Sequence, residues 1–475
     1  MSRINTNVAA LTAQRSLTKA TDAENTTLQR LSTGLKINTG ADDPAGLIAS
    51  ETLRSEISGI SQSIDNGQRA SNVISTADAS LSEVSSLLLS IKSVIIQSAN
   101  SGALSPDEIS ANQLQVDSAI QSITRISNTT NFAGQRLIDG SLDYITSGVS
   151  NSAFTGVQIN QANFGTAKNI PVNIDVVTSA QQGQLQFRNS ALTTTTTLEI
   201  NGNDGVDTLT FASGTTAAGL ASAINRSTDV TGVHAQLINS ANPNSGVVFS
   251  SNGWGSKAFV SIKAQKGSFT TTDVTGALHT RDAGRDAAAT VDGALTVGDG
   301  LKIKLSTSTL DMEMNLNQNF GAGTTHFDIT GGGALFQLGS KVTASQQVNI
   351  GIQSVAASKL GNSDDGFLND LISGGTASLT GGNAAKASKI LEDAITQVAS
   401  LRGRLGAFEK NTLDTNTSAQ QTALENVTAS ESAIRDTDFA QATAELTRDQ
   451  ILTQAGTSVL AQANATPQQV LKLLQ

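Results

Sequence analysis

The chain has 475 residues, no cysteine, a formal net charge of −10, and only 15% charged residues. That length allows two to four domains, and the lack of cysteine excludes disulfides and thiolate metal sites. The acidic balance, with Arg residues scattered singly, argues against nucleic acid or an anionic membrane as the main partner.

The opening MSRINTNVAALTAQ carries no continuous apolar run ahead of a small-residue cleavage site, so no cleaved signal peptide is expected. No run of 18 apolar residues occurs, so no membrane span is expected either. Residues 1 to about 140 are helical in pattern. LQRLSTGLKINTGADDPAGLIASETL begins as a helix, breaks at Gly34 and Gly40, and restarts at DDPAG. Asp43 before Pro44 is a helix start: the carboxylate caps free N–H groups, and proline at the first position has no N–H to leave unpaired. Asp42 adds charge at the positive helix end. Gly40, Asp42, Asp43 and Pro44 therefore read as a rigid corner. A metal or catalytic carboxylate pair is set aside, because no third ligand or nucleophile sits at a workable spacing.

After the corner, Leu53, Ile57, Ile60 and Ile64 step 4,3,4. Ile74, Ala77, Leu81, Val84, Leu88, Ile91 and Ile95 then step 3,4,3,4,3,4, a heptad seam. The spacing predicts one continuous helix from Pro44 to about Ser98, roughly 80 Å long at about 1.5 Å per residue. SGALSPDE then predicts a turn and a new start, with Ser105 as N-cap, Pro106 at the first position and Glu108 closing a capping box. The helix that follows carries Ile109, Val116, Ile120, Ile123 and Ile126.

From about 141 to 340 the pattern changes to period two. LQFRN, TTLEI, DTLTFAS, GVVFS, AFVSIKA and LKIKLS each fit a short strand, with NGNDG, NPNSG, SNGWG and VGDG as turns between them. AAGLASAINRSTDVTGVHAQL reads as a short helix followed by a strand. This region is expected to be α+β or all-β with a modest core, and Trp254 is either a loop anchor or a ligand platform. His234, His279 and His326 are far apart and read as ordinary surface or core histidines rather than a metal cluster.

Helix returns after about 341. Leu391, Ile395, Val398, Leu405 and Phe408 mark one helix, and Leu424, Val427 and Ile434 begin another pattern. Leu446, Leu452, Val459 and Ala463 continue to ATPQQVLKLLQ, with Val470 and Leu474 at the end. Many stripe positions are Ala, Ser or Thr, which permit close helix approach but bury little area each, so such helices gain most in a bundle or an assembly. GxGxxG before a helix, GxxxxGK[ST], GxSxG and HExxH are all absent. The reading is therefore not an enzyme, with no cofactor and no metal.

MSRINTNVAALTAQRSL, LQRLSTGLKINTGADDPAGLIASETLRSEI, VISTADASLSEV, IIQSAN, NFAGQRLIDG, ESAIRDTDFAQATAELTRDQILTQAGTSVLAQAN and PQQVLKLLQ, in this order at the two ends, resemble bacterial flagellins. The resemblance covers roughly 1–140 and 385–475; LASAINRSTDVTGVHAQL is similar to an insert motif of flagellins and hook-associated proteins. It implies a mixed fold: a long α-helical coiled-coil or bundle core built from both chain ends, with a central β-rich α+β variable domain. The implied layout is an inner-layer helix over 1–43, disordered in the monomer, then rod helices over 44–140. A surface-exposed β-rich region over 141–340 follows, then a return segment over 341–384, a C-terminal rod helix over 385–439, and an inner-layer, chaperone-binding helix over 440–475. The corner at Gly40, Asp42, Asp43 and Pro44 would join the layers. Ile74, Leu81, Val84, Leu88, Ile91 and Ile95 would form the rod seam, and Leu446, Leu452, Val459, Val470 and Leu474 would serve assembly and the chaperone.

The same resemblance implies a secreted, extracellular filament subunit for swimming motility. It implies self-polymerisation, a flagellar export chaperone, the flagellar type III export apparatus, a filament cap and hook-associated junction proteins as partners. One departure stands out. In the patch that many flagellins present to Toll-like receptor 5, the usual Arg falls at Ser90, the usual Leu at Val94 and the usual Glu at Gln115, so weak or absent activation is expected. The alternatives are a hook–filament junction protein and an adhesin or glycan-bearing surface protein.

Overall fold

The computed structural model describes residues 6–165 and 167–473. Helix α1 (Val8–Thr33) starts at Asn7, whose side chain accepts from the Ala10 N–H, and ends at Gly34 in the left-handed region (φ 74°). Helix α2 (Pro44–Ala99) runs 56 residues without a break, and α3 (Pro106–Thr129) opens with the full Ser105–Glu108 capping box. After the central region come α4 (Ala217–Ile224), the single turn α5 (Thr228–Thr231) and α6 (Ala384–Phe408). A π-turn over Glu409–Asp414 follows, then α7 (Thr415–Arg435) and α8 (Phe439–Leu473).

The chain divides into two compact units: Met1–Arg69 with Gln337–Val342 and Asn411–Gln475, and Ala70–Phe336 with Thr343–Lys410. In the second unit every residue of the heptad seam is buried: Ile74, Ala77, Leu81, Val84, Leu88, Ile91 and Ile95. Facing stripes are Val116, Ile120 and Ile123 on α3 and Ile390, Leu391, Ala394, Val398, Leu401 and Leu405 on α6. Polar pairs tie these helices: Asn112 Nδ2 donates to Ser98 Oγ at 3.0 Å, and Arg402 Nε donates to Asp78 Oδ1 at 2.9 Å. By length and composition α2 also holds a stretch apolar enough to cross a membrane, although Ser and Lys interrupt its apolar blocks. Here the apolar residues of its seam are packed inside protein.

All six strands expected in the central region form, at Gln184–Phe187, Thr196–Asn201, Val206–Phe211, Val247–Ser251, Phe259–Lys266 and Lys302–Ser306. The expectation of one modest core is corrected: among the described residues of this region there are two. The first lies between a five-stranded sheet (order Ala294–Leu295, Ala288–Val291, Ile170–Thr178, Gly323–Gly332, Tyr144–Ser147) and a four-stranded sheet (Val297–Asp299, Lys302–Ser306, Leu310–Leu316, Phe154–Ala162). Phe154 and Phe327 meet edge to face there, at 6.2 Å between centroids. The second core packs α4 with a three-stranded and a four-stranded sheet, around Phe249, Leu220, Ile224, Val260 and Ile262. Strands Ile170–Thr178 and Leu310–Leu316 also carry the apolar–polar alternation, in VNIDV and LDMEMNL, and bury its apolar side, but they were not singled out in the sequence. Trp254 is half-buried against the first core, so it is a loop anchor. His234, His279 and His326 are all exposed.

Candidate assembly interface

In the first unit, α1 and α8 pair along their lengths. Asn7 Nδ2 donates to the Ala463 carbonyl at 2.8 Å. Thr27 Oγ1 lies 3.4 Å from Asp449 Oδ2, and Asp449, buried, also takes Arg448 Nη2 at 3.1 Å. A Cβ added at Gly456 would stand 3.2 Å from Leu17 Cδ1, so the small residue sets how closely the helices approach. Ala13 and Ala442 are buried, but the long apolar side chains of the pair are not. Val8, Leu11, Leu452 and Val459 are exposed by 63, 58, 50 and 57%, and Phe439 and Ile451 are exposed as well. A groove between the two helices is lined by Val8, Ala13, Ala20, Leu452, Ala455 and Val459. Of the C-terminal residues singled out above, Leu446 is half-buried and Leu452 and Val459 are exposed. Leu474 lies outside the described residues, and so does the side chain of Val470.

The corner is built from two turns. Asp43 Oδ1 accepts from the Gly46 N–H at 2.9 Å, the expected N-cap of α2. Asp42 behaves differently from its expected role at the helix end. Its Oδ2 points back along the chain and accepts from the N–H of Thr39 (2.7 Å) and Asn38 (3.1 Å) and from Thr39 Oγ1 (3.0 Å). The Thr39 N–H holds this carboxyl below the usual carboxylate range. Gly40 and Pro44 are exposed. Ile37 is buried beneath the corner. A Cβ at Gly46 would stand 2.7 Å from Ile37 Cδ1 and 2.4 Å from Asp43 Oδ2, so only glycine fits without displacement.

A second turn, between α7 and α8, clasps the first. Leu35 and Asp436 form an antiparallel bridge, the Lys36 N–H donates to the Arg435 carbonyl at 2.7 Å, and the Thr437 N–H donates to the Gly34 carbonyl at 2.9 Å. Arg435 Nη1 reaches Glu51 Oε1 at 3.3 Å. Sequence reasoning missed Gly46 and Ile37, whose fit depends on how the turn folds back on itself, and it missed this bridge, which joins positions some 400 residues apart. Further along, Ser63 Oγ donates to the Leu338 carbonyl at 2.5 Å, seating Gln337–Val342 on α2. Helix α7 buries no side chain fully, and Leu424, Val427 and Ile434 are half-buried. In the second unit Ser90 and Gln115 are exposed, whereas Val94 is turned into the seam at 8% exposure.

Among the described residues no group of three or more His, Asp or Glu is arranged to hold a metal ion. Helices that pair by small residues and leave their large apolar side chains outside suit contact with further protein. Three segments of the chain match family models. Residues 4–143 match the bacterial flagellin N-terminal helical region, 388–474 match the bacterial flagellin C-terminal helical region, and 197–253 match the flagellin hook IN motif.

The chain belongs to the bacterial flagellin family.

It is a flagellin-type structural subunit, not an enzyme, located in the secreted, extracellular flagellar filament. Similar proteins span its whole length. The B-type flagellin of Pseudomonas aeruginosa is 29% identical over 529 residues, flagellin D of Vibrio cholerae is 29% identical over 481, and a flagellin of Salmonella rubislaw is 28% identical over 508. Each comparison covers 99% of both chains. Among solved structures, FliC from Burkholderia pseudomallei aligns at 16% identity over 72% of this chain and 99% of its own, with a TM-score of 0.24. Flagellar hook associated protein-3 from Legionella pneumophila aligns at 13% identity over 80% and 97%, with a TM-score of 0.30.

Proposed function

We propose that this flagellin-type subunit polymerises head to tail into a hollow helical filament that turns rotation into thrust, with α1 and α8 as the polymerising element. The observation that carries this reading is the exposed apolar stripe of the α1–α8 pair, which no other segment of the first unit covers among the described residues. A helical, non-closing assembly needs heterologous contacts, in which one patch meets a different patch on the next subunit. In this reading α1 and α8 form the inner layer, ordering fully only on assembly, and α2, α3, α6 and α7 form the rod. The corner at Gly40–Pro44, clasped by the α7–α8 turn, joins the layers, and the two β cores project outward.

The same stripe needs cover before assembly, since a free apolar face invites premature association. An export chaperone on α8 from Leu446 onward supplies that cover, and the type III apparatus, the filament cap and the hook-associated junction proteins complete the partners. The test is seeded growth. Purified chain is mixed with short filament fragments and imaged by negative-stain electron microscopy, beside a chain lacking 1–33 and 440–475. Long tubes from the full chain alone support the proposal. Short rings would instead favour a hook–filament junction protein, and persistent monomer would remove the polymerising role.

A further inference from the structure

The segment that returns from the β cores to α6 forms a small hairpin, in which Gly361–Asn362 pairs with Gly366–Phe367. It is fastened to α6 by two amides. Gln397 accepts from the Gly361 N–H at 3.0 Å and donates to the Gly361 carbonyl at 2.7 Å. Asn362 is the second fastener. Its Oδ1 accepts from the N–H of Asp364 and Asp365, which fixes the amide plane and directs its Nδ2 outward. That one nitrogen donates both to Asp393 Oδ2 on α6 at 2.6 Å and to Asp365 Oδ2 on the hairpin at 3.2 Å.

Two carboxylates that share one donor nitrogen stand close enough to repel when both are ionised. The amide supplies one hydrogen to each and no net charge, so it positions the pair without neutralising it. The other charged groups around it do little to relieve this. Asp364 is on the same hairpin, and Asp370, in the following turn, accepts from the Phe367 N–H at 2.8 Å. On α6, Glu392 adds a further negative charge and Lys389 is exposed, while Lys92 of α2 is engaged with Glu392 at 3.4 Å. Lys359 stands in the segment leading into the hairpin.

We infer that the Gly361–Phe367 hairpin and α6 form an acid-tightened latch, in which a proton taken from solvent bridges the Asp365 and Asp393 carboxyls above Asn362. The proton turns one carboxylate into a donor toward the other and converts repulsion into a hydrogen bond. Burial, and then the neighbouring Asp365, push the Asp393 carboxyl above its ordinary value, in keeping with this geometry. A carboxyl raised in the folded state contributes stability that is complete below the unfolded value and is lost as pH rises through the folded one. The latch is therefore tighter on the acid side of the raised Asp393 value than above it, opposite to the usual acid loosening of proteins. It sits at the return from the outer β region to the helices, so acid would stiffen that connection.

The experiment is hydrogen exchange by mass spectrometry on the full-length monomer at pH 7.5 and 5.0, corrected for intrinsic exchange, followed in peptides covering 359–370 and 387–398. Wild type should gain protection severalfold in both peptides at pH 5.0. Asp393→Asn removes the repulsion and should be as protected at pH 7.5 as wild type is at pH 5.0, with little change between the two. Asp365→Asn should behave alike, which keeps the inference testable if one variant folds poorly by circular dichroism. Equal or lower wild-type protection at pH 5.0, or a pH response unchanged in both variants, would overturn it.

Discussion

Asp78 of α2 and Arg402 of α6 meet in a two-pronged pair, with Arg402 Nε 2.9 Å from Asp78 Oδ1 and Nη2 3.4 Å from Oδ2. The fork fixes the rotation of α6 against α2 as well as their distance, because a planar guanidinium meets a carboxylate in one plane. Both side chains are about a third exposed, 34 and 38%, so solvent screens the pair. Arg402→Lys keeps the charge and loses the fork. It is expected to cost about 0.5–1 kcal/mol in denaturant unfolding, with Asp78→Asn no worse, and a double-mutant cycle would assign that loss to the pair.

The seam and the terminal stripe should respond oppositely to truncation. Leu88→Ala opens a cavity at a fully buried position and is expected to destabilise the monomer by about 2–5 kcal/mol. Leu452→Ala and Val459→Ala alter exposed side chains and should leave monomer stability within about 0.5 kcal/mol, yet slow seeded elongation. Thermal unfolding and a light-scattering growth assay on the same samples separate the two effects.

The corner should be acid-sensitive through Asp42. Its carboxyl is held low by the Thr39 N–H, so the folded state binds that proton less readily than the unfolded chain does. The stability it confers is present above the unfolded value, near 3.8, and is lost as pH falls toward the folded value. Amide protection over residues 35–47 should therefore fall as pH drops below that value in wild type. In Asp42→Ala it should already be low at neutral pH and show no such step. Gly46→Ala should loosen the same amides at every pH, because its methyl group displaces Ile37 or Asp43.

The patch that the resemblance to other flagellins assigns to the receptor falls on Ser90, Val94 and Gln115 in this chain. Ser90 and Gln115 offer neither the usual Arg nor the usual Glu, and Val94 is turned into the seam. Purified monomer is expected to be a weak or silent stimulus of cells bearing Toll-like receptor 5. The double change Ser90→Arg and Gln115→Glu should raise the response, since an exposed Arg is the stronger interface anchor. A wild-type response equal to that of a stimulatory flagellin at the same dose would refute the expectation.

Much of the helical architecture follows from local chemistry. The 3,4 spacing from Ile74 to Ile95 implies a buried stripe because only a helix puts those positions on one face, and Ser105, Pro106 and Glu108 mark a start because they satisfy free N–H groups within three residues. Six of the strands between Gln184 and Ser306 were legible for the same reason, since alternation and turn residues are properties of short segments. The short strands from Arg281 to Asp299 were not, and VGDG, read as a turn, contributes Val297–Asp299 to a strand. Their division into two cores was not, since it depends on strand pairings such as Ile174 with Thr325 and Ile200 with Ile262, which no local pattern encodes.

The corner shows where local reading stops. Asp43 as a cap is decided by its own neighbourhood. Asp42 had two sets of backbone N–H groups within reach, behind it and ahead of it, and the folded turn gave it the ones behind. Gly46 earns no notice as a sequence letter; it is required because Ile37 is buried under it, and Ile37 is buried where the turn at Arg435–Thr437 closes against Leu35 and Lys36. The chain alone therefore settles periodicity and most caps, because these depend on contacts within a few residues. Which apolar stripes end inside the subunit and which remain outside is decided by long-range packing: Leu88 and Leu452 are the same residue type in similar helical patterns, and only the fold buries one and leaves the other exposed.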